Sequence, residues 1–144
     1  MNWKLLAPGE TRVFAVIFRS GDDVTDGLIA FGREQRLEAS HFTAIGAFAE
    51  VTLGFWDWER REYQRIPIRE QVEVLSLVGN VARGPDGAPL LHAHVVVGKS
   101  DGTAHGGHLL WARVRPTLEV VIEESPAHLR RVPDEATGLM LLAP

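Results

Sequence analysis

Apolar and polar positions along this chain predict sheet almost everywhere, with one helical interruption. Residues 11–19 (TRVFAVIFR) are a continuous apolar run bounded by charge, which predicts a strand covered on both faces. Ser20-Gly21-Asp22-Asp23 is a turn, and either aspartate is suited to cap a helix N-terminus. Val24, Leu28 and Phe31 follow at i, i+4 and i+7, an apolar stripe with Arg33, Glu34 and Arg36 facing water. The spacing predicts one main helix near residues 23–38. Gly27 and Gly32 each cost it about 1 kcal/mol of propensity relative to Ala and suit a close approach to a neighbour.

Past the helix the period is that of strands. Residues 41–55 (HFTAIGAFAEVTLGF) read as a strand in which Gly46 and Gly54 mark bulges or bends. Asp57 to Arg60 is a turn, and residues 62–68 are a return strand with Pro67 near an edge or end. Residues 72–82 are a long buried strand containing Ser76 and Asn80, followed by a Pro85-Asp86-Gly87 turn. A hairpin over residues 90–111 comes next, then a strand over 114–123 interrupted by Pro116, then short segments around Leu129 and Leu139 to Leu142. The pattern predicts an α+β fold: a mostly antiparallel, strongly curved, partly barrel-like sheet with one main helix, in a single domain over residues 1–144.

Composition narrows the function classes. With 45% hydrophobic and 24% charged residues, 144 residues make one ordinary globular core. No apolar run approaches the roughly 18 residues of a membrane span, and the first residues lack a secretory apolar region. The absence of cysteine removes disulfides, thiolate metal sites and cysteine nucleophiles, and fits a reducing cytoplasm. The net charge is −4, and the densest basic spots, Arg60-Arg61 and Arg130-Arg131, are flanked by acids. That argues against DNA as a direct partner, which would call for a basic stripe or tail. There is no Gly-x-Ser-x-Gly, phosphate loop or dinucleotide fingerprint.

The chemistry concentrates in the hairpin LLHAHVVVGKSDGTAHGGHLLW, which holds four of the six histidines. On a strand His92 and His94 share a face. Ser100-Asp101-Gly102 fits a three-residue loop with glycine in the left-handed position. Lys99 then pairs with Thr103, and His108 stands across from His94 while His105 faces away. A two-residue Asp-Gly loop would instead bring His105 to the ligand face, and a bulge at Gly106-Gly107 would change the count again. The three-residue loop is preferred because it gathers His92, His94 and His108 on one face. Three imidazoles without a fourth protein ligand make an open zinc site; the same residues also suit sheet histidines bonded to Ser, Asn or backbone. Glu73, Gly106 and Gly107 are the candidates to stand behind the ligands. His41 and His128 read as surface or capping residues, and Trp56 and Trp58 as packing or subunit-contact residues. No general base is identified, so the catalytic residues are unknown.

Residues 73–79 (EVLSLVG), His92-Ala93-His94 and residues 101–109 (DGTAHGGHL) resemble the plants-and-prokaryotes-conserved domain. So do residues 19–23, residues 43–46 with Leu53-Gly54, Tyr63 and the tail over residues 131–142. The resemblance implies an α+β fold related to acetolactate decarboxylase, a homotrimer, and zinc, or another divalent transition metal, on His92, His94 and His108. It implies a small-molecule ligand at the metal, a carbonyl or carboxylate compound if the protein is an enzyme. Alternatives are a DNA-associated or regulatory role, although no AT-hook is present, or a structural, partner-binding trimer braced by the metal.

Overall fold

The computed structural model describes residues 2–8, 10–126 and 128–143, with side chains from residue 10 onward. In order the chain forms β1 (Asn2–Pro8), β2 (Arg12–Arg19), α1 (Val24–Gln35), β3 (Ala39–Asp57), β4 (Glu62–Ile68), β5 (Val72–Arg83), β6 (Pro89–Gly98), β7 (Ala104–Glu124), β8 (Arg130–Pro133) and β9 (Met140–Ala143). Predominantly strand with one helix among the described residues, it is the α+β arrangement expected from the sequence.

Two strands are long enough to serve different neighbours along their length. The N-terminal half of β3 lies between β5 and the C-terminal half of β7, and its C-terminal half lies between β4 and the middle of β7. β5 also pairs with β6, and β6 with the start of β7. The bonding β3–β5–β6–β7 therefore returns to β3, a ring within a curved sheet. Gly46 takes φ 148° where register shifts on β3, and a Cβ there would sit 2.3 Å from the Thr117 carbonyl oxygen. That bend lets β3 serve both sets of partners.

The core fills the inner face. Phe14, Val16 and Phe18 of β2 are at most 1% exposed, and the residues between them are only partly covered. The expected burial on both faces is thus corrected: α1 packs on the inner face alone, where Phe31 meets Phe14 edge-on at 5.3 Å. Asp23 is the N-cap, accepting from the Asp26 N–H at 3.0 Å. The helix stops three residues earlier than its spacing predicts. Arg36 turns left-handed at φ 54°, the Leu37 N–H bonds the Gly32 carbonyl at 2.8 Å, and Leu37 enters the core. At Gly27 a Cβ would lie 2.4 Å from Phe18, so this glycine provides the close approach its position suggests.

The two strands expected over 90–111 and 114–123 are also corrected at their boundary. β7 runs unbroken for 21 residues through Pro116. The ladder to β3 shifts between Val114 and Leu118, and pairing with β2 begins at Thr117, so the missing N–H of Pro116 removes no ladder bond. No helix among the described residues is long and apolar enough to cross a membrane.

Candidate metal centre

Two adjoining strands assemble the histidines. On β6, Ala93, Val95 and Val97 turn into the core, which leaves His92 and His94 on the outer face. The following loop is a three-residue turn. The Lys99 N–H bonds the Thr103 carbonyl at 2.9 Å, the Gly102 N–H bonds the Lys99 carbonyl at 3.0 Å, and Gly102 has φ 82°. Asp101 Oδ1 accepts from the Thr103 N–H at 2.9 Å and from its hydroxyl at 2.6 Å, which locks the turn. The register that results pairs His94 with His108 and Val97 with His105. His105 stays exposed near the Thr103 hydroxyl, apart from the other three.

Two outer-face rows lead to the site. One runs through Ala15, Val121, Thr43, Val78, His94 and His108 as direct cross-strand partners. The other runs through Val13, Glu123, His41, Asn80 and His92. On its far side His108 pairs with Gly54 of β3. A Cβ at Gly54 would lie 2.8 Å from the Tyr63 ring, so glycine leaves room for Tyr63 to stack on His108 with centroids 4.6 Å apart. Trp56 packs edge-on against Tyr63 at 5.0 Å. Gly107 permits close passage of backbone, since its Cβ would meet the Gly54 carbonyl oxygen at 2.9 Å. Gly106, opposite Val96, has ordinary room for a side chain.

His92, His94 and His108 each offer a nitrogen, and these atoms all lie within 4.8 Å of one another. The Nε2 atoms of His92 and His94 are 3.2 Å apart. A tetrahedral ion with Zn–N bonds of about 2.0–2.1 Å spaces its ligand nitrogens by about 3.3 Å. The donor set therefore fits a zinc-sized ion. Burial pushes the pKa of His108 down to about 4, with the positive charges of His92, His94 and Arg131 adding to the effect. Burial likewise lowers that of His92. At neutral pH both rings are neutral and hold a lone pair for a metal. Nδ1 of His108 is buried without a hydrogen-bond partner.

A cavity of about 350 Å³ opens beside His92 and His108, lined also by Tyr63, Leu90, Arg131 and Leu139. Arg131 reaches it from β8, which meets β5 in parallel where Arg83 pairs with Arg130. Its Nη2 donates to Asn80 Oδ1 at 2.6 Å and its Nη1 to the Met140 carbonyl at 2.9 Å, tying β9 to the sheet.

The remaining sequence candidates lie elsewhere. Glu73 stands across from Gly98 on β5, exposed. It is five positions from Val78, the neighbour of His94, or roughly 15 Å along a strand. It belongs to a hollow with Glu70 and Lys99 and is not behind the imidazoles. His41 lies 3.9 Å from Glu123, and His128 pairs with Glu38, both at the surface. Trp58 is 67% exposed on the β3–β4 turn. Sequence reasoning gave no site role to Tyr63, Asn80 or Arg131. Tyr63 and residues 131–142 entered only through the family resemblance, and the one local signal was an asparagine inside an apolar strand.

The model of the Plants and Prokaryotes Conserved (PCC) domain matches residues 6–126. A metal-containing protein from Archaeoglobus fulgidus has a similar structure, with TM-score 0.84 and 34% identity over 99% of this chain and 97% of that one. A plant- and prokaryote-conserved protein from Pyrococcus horikoshii superposes with TM-score 0.83 at 27% identity over 97% and 94% of the two chains. A Bacteroides thetaiotaomicron protein, provisionally named as DNA-binding, gives TM-score 0.86 at 28% identity over 98% and 96%. Among curated proteins, the bifunctional protein GlmU of Synechococcus sp. (strain JA-3-3Ab) is 32% identical over 140 residues. That match takes in 95% of this chain but spans only 21% of the relative's length.

Proposed function

This chain belongs to the Plants and Prokaryotes Conserved domain family, and from that premise we propose that it is a cytoplasmic, homotrimeric zinc-binding protein that takes a small carbonyl or carboxylate ligand at the metal. His92, His94 and His108 hold the ion. The observation that carries the reading is the triad itself: three imidazoles drawn together from two strands, with a cavity alongside. The metal-containing relative from Archaeoglobus fulgidus supports it.

Zinc held by His92, His94 and His108 would supply Lewis-acid chemistry, lowering the pKa of a water or polarising a carbonyl brought to it. The protein's own contribution is placement. The Ser100-Asp101-Gly102 turn sets the two ligand strands in register. Tyr63, stacked on His108, and Leu139 of the tail line the cavity beside the triad. His94→Ala should abolish stoichiometric zinc in the purified protein, measured by inductively coupled plasma mass spectrometry. Unchanged metal content would sink the assignment.

Support for the trimer comes from the outer face. Ile45, Val78, Val96 and Val121 are 60%, 47%, 41% and 48% exposed there, on the same face as His94. An apolar patch of this kind marks a contact surface.

A second reading, DNA association, draws on the provisional name of the Bacteroides thetaiotaomicron structure. The net charge of −4 weighs against it. A gel shift at about 50 mM salt, where phosphate contacts are strong, decides: no retardation by the intact protein removes this reading.

A further inference from the structure

Arg131 is 6% exposed, yet it takes part in none of the ion pairs among the described residues. Both of its hydrogen-bond acceptors, the Asn80 side chain and the Met140 carbonyl, are neutral, and its buried Nε has no partner among the described residues. A buried charge is ordinarily matched by an opposite one, because removing an ion from water without compensation is expensive. Here Arg131 instead lines the cavity that His92 and His108 also line. The rest of the lining is mainly apolar, with Leu90, Leu91, Leu139 and Leu141.

We propose that Arg131 anchors the carboxylate of a small organic acid bound in this cavity, the acid's apolar body lying against the leucines beside the triad. This names the ligand class for the centre proposed above and rests on that reading. Arg131 is the one lysine or arginine among the lining residues, so the protein's own side chains supply one permanent positive charge there, which one carboxylate balances. Guanidinium geometry suits a planar carboxylate in particular. The same arginine bonds the Met140 carbonyl, so the side chain proposed to recognise the ligand also holds the tail that lines the cavity.

The test compares 4-methylpentanoate with its uncharged amide, titrated by calorimetry into the full chain, both zinc-loaded and metal-free. The acid should bind at least tenfold more tightly than the amide in both forms, and Arg131→Met should erase the preference. The Arg131 Nε–H resonance of the wild type should shift with the acid and not with the amide, which decides the matter if Arg131→Met does not fold. Equal binding of acid and amide, no binding of either, or a preference that survives in Arg131→Met would overturn the proposal. Discrimination in metal-free protein that fails to load zinc would sink the metal centre and leave the anion site standing. Zinc loading without discrimination would do the reverse.

Discussion

Tyr63 lies over His108 with ring planes 23° apart, and Gly54, the residue opposite His108 in the ladder, is what makes the space for it. Aromatic contacts of this kind contribute about 0.5–1.5 kcal/mol beyond the area they bury. Tyr63→Phe should keep the stack and leave zinc affinity within about twofold, since less than 0.5 kcal/mol is then at stake. Gly54→Val should displace the ring and weaken zinc binding by roughly tenfold or more, on the scale seen for groups that orient metal ligands. Competition against a chelator of known affinity measures both.

Protons and stability are linked through the same histidine. Burial holds the pKa of His108 at about 4 and lowers that of His92, whereas an unfolded histidine titrates near 6.5. Between those values the unfolded chain binds more protons than the folded one, so stability rises with pH. The metal-free protein should be most stable above about pH 6.5 and lose stability as pH falls toward 4. Thermal melts in chelator from about pH 7.5 to about pH 5 should show that decline. His108→Asn should flatten it.

Asn80 does more than fill the strand position opposite His92. Its side-chain oxygen accepts from Arg131 at 2.6 Å, and Asn80→Leu would strip that acceptor from a buried guanidinium. The cost should be about 1–3 kcal/mol, more if the cation is left fully unsatisfied. Because Arg131 also bonds Met140, the loss should localise to the tail. Hydrogen exchange of residues 140–143 should quicken well before that of β3 or β5.

The outer face can be tested through Val78, which is 47% exposed beside His94. If the chain is a trimer through this face, light scattering of the wild type should report three times the 15.9 kDa chain mass. Val78→Asp should bring it to a single chain mass with the melting temperature of the protomer little changed. A wild type that is already monomeric would remove the trimer.

What could be read from the sequence was local. The Ser100-Asp101-Gly102 turn carries its own geometry, so counting outward from it gives the pairing of His94 with His108. The helix stripe at Val24, Leu28 and Phe31 and the bend at Gly46 are likewise written in neighbouring residues. Arg131 was not legible, because it reaches the cavity through β8, joined to β5 in parallel by a connection that no short pattern encodes. Glu73 was misread for a related reason. Its charge on an apolar strand drew attention, but its place on β5 puts it at the other end of the strand from Asn80. Continuity through Pro116 depended on where β2 and β3 hand over along β7, a tertiary property.

The row that ends at His108 also passes through Val121, and both belong to β7. One strand thus stands at two places in the same circuit. A slip of one residue at the hairpin would send His108 inward and Leu109 outward, which takes a ligand away and exposes a core leucine in the same stroke. If the triad holds a metal as proposed, uptake would be a check on the parity of the closed ladder: a chain that has closed one step out of phase cannot complete the triad.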